Sequence, residues 1–233
     1  MLRTDEDPRA DRRNHLAFHG RVLPGDNEGV AARLGGLSSA RLILYSVNFE
    51  ELKPATDATG WLRIGTALTG IAQRLESAGA ECIVICANTP HKVADEVQRG
   101  IAIPILHIAD AAGDAIIAAG LTTVGLLGTR PTMEDGFIRD RLAARGIATV
   151  VPDEASRAYI HASILEELGR GIFTASAKQR YLAIMDDLAE RGARGIVLGC
   201  TEIPLLVRPG EHALRAFDTA APHAAAAVEF VLR

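Results

Sequence analysis

The stretch IVLGCTEIPLLV, Ile196–Val207, decides how the fold is read, because it repeats the plan of an earlier one, IVICANTPHKVA, Ile83–Ala94. Each runs from a β-branched strand into a small polar turn carrying threonine, and then towards a helix. From Arg41 onward the chain alternates such short runs with longer amphipathic or alanine-rich stretches, the pattern of a parallel α/β protein. Strands are expected at Arg41–Val47, Glu81–Ala87, Ile103–Ile108, Thr123–Gly128, Ala148–Val151, Gly195–Gly199 and Leu214–Asp218. Helices are expected at Trp61–Gly79, Asp110–Gly120, Met133–Gly146, Lys178–Gly192 and Ala221–Leu232, where apolar residues recur at helical spacing. Ligands of a parallel sheet bind outside the carboxyl ends of its strands. The two similar strand ends therefore predict two similar halves that face each other across a cleft.

Composition narrows the function. The chain has 233 residues, 48% of them hydrophobic, a formal net charge of −4 and three cysteines. That size suits one large core or two small domains. Lys and Arg number 25 against 29 Asp and Glu, which gives a phosphate backbone or an anionic membrane no electrostatic footprint. No nucleic acid and no membrane is expected as a partner, since no apolar run approaches the roughly 20 residues of a membrane helix. Met1–Arg13 is charged throughout, without the apolar segment of a signal peptide. Three cysteines fit neither a disulfide framework nor a zinc ligand set. No metal is expected, and the expected location is cytoplasmic.

The chemistry concentrates at the strand ends. Cys200 follows Gly199 at an expected helix start, where free N–H groups and the helix dipole are expected to lower its pKa; the alternative is a small buried core residue. Cys82 and Cys86 share one face of the expected strand Glu81–Ala87, and Cys82 reads as core. Asn88 and Thr89 close that strand and offer amide and hydroxyl groups to an anionic ligand. Pro90 suits the first turn of a helix, which puts His91 and Lys92 in that turn. GTRPTME, Gly128–Glu134, is a third such turn, with Thr132 as its expected N-cap. Capping leaves Thr129 and Arg130 without an explanation.

Together ARLGGLSSARLILYSVNF (Ala32–Phe49), ICANTPHKVADEV (Ile85–Val97), IPILHIAD (Ile103–Asp110), VGLLGTRPTME (Val124–Glu134) and GCTEIPLLV (Gly199–Val207) resemble the aspartate/glutamate racemase family. Hydantoin racemase, maleate isomerase and arylmalonate decarboxylase belong to the same wider group. The resemblance runs from about Gly29 to the C-terminus. It implies an α/β fold of two Rossmann-like domains with parallel sheets, related by a pseudo-two-fold axis, with the active site between them. Residues 28–115 with 208–233 would form the first domain and 116–207 the second. It implies racemisation of aspartate or glutamate without pyridoxal phosphate, metal or nucleotide, in a homodimer. Removing an α-proton leaves a carbanion, so such a site needs a thiol, a proton donor on the opposite face, and polar groups around the carboxylate. By resemblance Cys200 is an acid/base residue, and Asn88, Thr89, Thr129, Thr201 and Lys92 bind substrate.

Two departures matter. The family's second acid/base stands where this chain has Ala87, which has no proton to give; Cys86 is one residue away and is the candidate substitute if the strand is distorted. One-sided catalysis is the expectation, with a single-cysteine decarboxylase, a cis–trans isomerase or a non-catalytic member of the family as alternatives. The second departure is the segment 1–27. The family opens on a strand and a glycine loop before the equivalent of NEGV, Asn27–Val30, whereas Leu2–Asp26 reads LRTDEDPRADRRNHLAFHGRVLPGD. One permitted choice of codons for Leu2–Asp26, read one base later, encodes FGQTKTLGRIGGITWHSTAGYYRV, which resembles the family's opening. Loss of one base before the Asn27 codon would join the two frames.

Overall fold

In a computed structural model, the structure describes residues 27–52, 55, 57–208 and 210–233. The atypical first segment lies outside the described residues, apart from Asn27. The run TVGLLG, Thr123–Gly128, becomes the inner strand β3, and from Val124 onward every residue of it is buried. A strand covered on both faces reads as an unbroken apolar run, as parallel sheets require. Its neighbours are β4 (Ala148–Val150) and β5 (Gly195–Gly199), and β6 (Arg215–Asp218) pairs with β5, so the sheet order is β4-β3-β5-β6 with every pair parallel. The strands β1 (Ile83–Val84) and β2 (Ile105–Leu106) form a second parallel sheet.

Alternation sorts the side chains of the larger sheet. Val124, Leu126, Val197 and Phe217 pack on one face with α4 (Ile108–Ala118) and α6 (Gly136–Ala144). Leu127, Ile196 and Leu198 point to the other, against α7 (Glu154–Glu166) and α8 (Ala175–Glu190). A third core belongs to the first half, where Ile64 and Ala72 of α2 (Ala58–Ser77) meet Ile83 and Val97, the latter from α3 (Ala94–Arg99). Side-chain caps begin the long helices: Asp57 accepts from Gly60 N, Asp153 from Ser156 N and Thr174 from Ala177 N. The C-terminal helix α10 (Ala220–Val231) turns back from β6 to pack on α4 and β2. The expected boundary at residue 208 thus falls ahead of β6, which pairs within the sheet of the second half.

Several expected elements differ. The expected strand Arg41–Val47 has no strand pairing among the described residues, and Leu42, Ile43, Leu44 and Tyr45 are exposed; a strand forms only where a neighbour takes its N–H and C=O groups. Glu81–Ala87 keeps only two paired residues, because Ala87 N already turns to Ile85 O at 2.8 Å. The expected helix Met133–Gly146 is two, α5 (Arg130–Glu134) and α6, broken where Asp135 is extended (φ −81°, ψ 159°). Residues 27–34 are helical (α1), and neither α1 nor α7 was among the expected helices.

Candidate active site

Four strand ends converge. Gly128 and Gly199 are register partners on β3 and β5, so Thr129 and Cys200, one residue further along each strand, leave the sheet side by side. Both glycines are required by closeness. A Cβ on Gly128 would stand 2.7 Å from Thr132 Cγ2 and 2.9 Å from Gly199 O, and one on Gly199 would stand 2.8 Å from Leu127 O. From the first half, Asn88 Nδ2 donates to Thr219 Oγ1 at 2.9 Å, and that hydroxyl donates to Leu198 O at 3.3 Å, two residues before Cys200. The hydroxyls of Thr89 and Thr129 meet at 2.9 Å, and Thr132 Oγ1 lies 3.0 Å from Thr129 Oγ1. Residues of both halves therefore close one polar cradle at the carboxyl ends of the strands, as the parallel-sheet rule requires.

The Cys200 thiol donates to Glu202 Oε2 at 2.8 Å, and Thr201 Oγ1 donates to the same oxygen at 3.0 Å. Burial pushes the thiol's pKa well up, and the negative charge of Glu202 pushes it further. This overturns the expected lowering. The following helix, α9 (Ile203–Leu206), has four residues, and the backbone N–H groups of Thr201 and Glu202 pull the pKa down by less than burial and the carboxylate raise it. Cys200 is thus a half-buried thiol held protonated against a carboxylate. Spacing gave no role to Glu202; its place two residues beyond the cysteine was the available signal.

Asn88 is 4% exposed, and its Oδ1 has no hydrogen-bond partner among the described residues. Leaving a buried acceptor unpaired costs about 1–3 kcal/mol, so the cradle holds an acceptor in want of a donor. Thr132, expected as a cap, lies inside α5 and is fully buried; Thr129 takes the cap position, and the Thr132 hydroxyl backs those of Thr129 and Thr89. Arg130 is exposed, and its backbone N donates to His161 Nδ1 at 3.2 Å.

Ala87 stands at the end of the first half's strand, where His91 Nδ1 donates to its carbonyl at 2.6 Å. Cys86 Sγ contacts Val84 O at 3.8 Å, a weak bond to its own strand. Lys92 Nζ pairs with Asp135 at 2.6 Å and sits 4.5 Å from the Trp61 ring centre, so its charge is engaged between the halves. No group of three or more His, Cys, Asp or Glu able to hold a metal occurs among the described residues, and no described helix is long and apolar enough to cross a membrane.

Comparisons with known proteins agree with this architecture. An Asp/Glu racemase structure from Yersinia pestis, itself a proposed assignment, is 41% identical, with 94% of this chain and 96% of that one covered and a TM-score of 0.86. An aspartate racemase homologue from Pyrococcus horikoshii OT3 is 31% identical, with 95% of each chain covered and a TM-score of 0.78. A glutamate racemase from Methylococcus capsulatus is 29% identical over 184 residues, which are 74% of this chain but only 65% of that protein's length. The profile of one family, Asp/Glu/Hydantoin racemase, matches residues 27–227. A match over so much of the chain, on a fold whose two halves meet at their strand ends, places this protein in the Asp/Glu/Hydantoin racemase family.

Proposed function

We propose that this protein removes and returns the α-proton of a small acidic amino acid, aspartate or glutamate, from one face, with Cys200 as the acid/base. The observation that carries the reading is the Cys200–Glu202 pair at 2.8 Å, set beside a cradle with an unpaired acceptor. Glu202 takes the thiol proton, the thiolate takes the α-proton, and the electron pair delocalises into the substrate carboxylate. Hydroxyls of Thr89, Thr129 and Thr201 stabilise that enediolate. Asn88 Oδ1 accepts from the substrate ammonium. Once the thiol has traded that proton for one from solvent, it returns the new proton to the same face, so the substrate exchanges its hydrogen without inverting.

Inversion needs a donor on the other face, and Ala87 supplies none. Cys86 serves only if the strand end turns its thiol inward. Lys92, already paired with Asp135, contributes positive potential at the edge of the cradle. The chemistry uses no cofactor. The same reading places the protein in a reducing cytoplasm as a homodimer, which sedimentation of the purified chain checks.

Exchange in D2O, followed by NMR on each enantiomer of aspartate and glutamate, is the test. Loss of the α-proton signal from one enantiomer, without optical inversion and abolished by Cys200→Ala, is the expected result. Undiminished exchange in Cys200→Ala removes the assignment. Turnover of a malonate or maleate with no amino-acid exchange would instead favour the single-thiol decarboxylase or isomerase, which Ala87 also suits.

A further inference from the structure

The two halves follow one winding order, and the described residues of the first lack a member of it. In the second half the chain runs β3, α5 and α6, β4, α7 and α8, β5, β6, and these strands lie in the order β4-β3-β5-β6. The first strand in sequence is therefore an inner strand, between the second and the third. The described part of the first half runs α1, the apolar segment Arg41–Val47, α2, β1, β2. If α1 stands for α5 and α6, and α2 for α7 and α8, then Arg41–Val47 is the second strand, β1 the third and β2 the fourth. The observed β1-β2 pairing is then the third-fourth pairing. The inner strand, between Arg41–Val47 and β1, has no counterpart among the described residues.

The segment flanking that slot is in place for it. Ala40 N donates to Asn27 Oδ1 at 3.0 Å, and Arg74 of α2 donates to Tyr45 Oη at 3.4 Å, so both neighbouring helices hold the run. Its apolar side chains Leu42, Ile43 and Leu44 are 45–50% exposed, as a strand without its neighbour would be. The winding order also says where the absent strand is encoded. β3 leads directly into α5, so its counterpart leads directly into α1, which puts it just before the Asn27 codon.

We propose that this slot is the seat of a parallel strand encoded immediately upstream of Asn27, one base out of step with Leu2–Asp26. The in-frame stretch is charge-rich, with no β-branched run. With one permitted choice of codons, the shifted stretch FGQTKTLGRIGGITWHSTAGYYRV has the plan of the other strand ends: a run towards RIGG, a polar turn ITWHST, and a segment leading into α1. As an inner strand it pairs with Arg41–Val47 on one side and β1 on the other. Its turn then opens beside Ala87–Thr89 and adds hydroxyl groups to the substrate cradle.

Two measurements test this independently of which substrate the site takes. The first is the nucleotide sequence between the Met1 and Asn27 codons; its shifted frame is expected to encode this strand and turn, and a stop codon or an unrelated sequence there overturns the proposal. The second compares the chain as it stands with one in which Leu2–Asp26 is replaced by the shifted stretch plus one residue. Hydrogen exchange at the Leu42–Leu44 amides is expected to pass from unprotected to protected, and the melting temperature to rise. Unchanged exchange in the folded replacement chain overturns the seat. Gain of α-proton exchange by the replacement chain alone would separate a missing strand from a wrong substrate assignment.

Discussion

At the scale of the residue, a carboxylate two positions from a thiol sets the chemistry of the proposed reaction. Glu202 both raises the Cys200 pKa and accepts its proton, so the two effects separate in Glu202→Gln. Removing the charge lets the thiol ionise at lower pH, which the pH dependence of its alkylation rate reads, while α-proton exchange slows because the proton has no acceptor. The general acid/base contribution at risk is about 100-fold or more. Faster exchange in this variant would make Glu202 a mere depressant of the thiolate. The opposite face is tested by Ala87→Cys, which is expected to convert exchange without inversion into racemisation, measured by the loss of optical rotation. The cysteine and its turn were legible because strand, glycine and polar turn follow one another in sequence. The unpaired Asn88 oxygen was not, since it arises only when separate strand ends meet; Glu202 lay two residues from the cysteine, but spacing alone does not say that its carboxylate turns back onto the thiol.

At the scale of the element, the two glycines end their strands where side chains cannot fit. Gly128→Ala drives a methyl group against Thr132 and the Gly199 carbonyl, and overpacking of this kind costs about 1–3 kcal/mol. A lowered melting temperature is expected, with weakened substrate binding because Thr132 backs both Thr129 and Thr89. Gly70→Ala, in the middle of α2 with nothing within 4 Å of the added carbon, is the control. It is expected to stabilise by about 0.5–1 kcal/mol. Strands β3 and β5 were legible to the residue because burial on both faces leaves an uninterrupted apolar signature. Arg41–Val47 carries a similar signature and is not a strand, since pairing depends on a neighbour that the local sequence does not contain. The helix α7 was missed because its buried residues Ile160, Ser163 and Ile164 leave a sparse apolar face.

At the scale of the whole molecule, three buried histidines tie the first half to α10 directly behind the strand end that carries Ala87. His91, in the turn after β1, has its ring centre 4.5 Å from that of His107 at the start of α4 and 5.6 Å from that of His223 in α10. Two are neutral by their partners, since each accepts at a ring nitrogen: His91 donates to Ala87 O and accepts from Ile108 N, and His107 accepts from Ala109 N, while His223 donates to Leu106 O. Burial holds all three below the ordinary histidine value, first and foremost. Each of the other two rings lowers His91 further, and nearby Arg141 lowers His107, to about 4, against the opposing charges of Asp110 and Asp95. With folded values depressed, the unfolded chain binds protons that the folded one refuses. The stabilisation is therefore complete above about pH 6.5 and is lost as the pH falls towards 4, by roughly 3 kcal/mol from His107 alone. Urea unfolding at pH 7.5 and pH 5 measures the loss. Carboxylates titrate in the same window, so the decisive chain is His107→Asn, which keeps an N-cap acceptor for Ala109 N while removing the titration. It should unfold with a shallower pH dependence than the parent, and equal slopes in the two chains would take His107 out of the acid response.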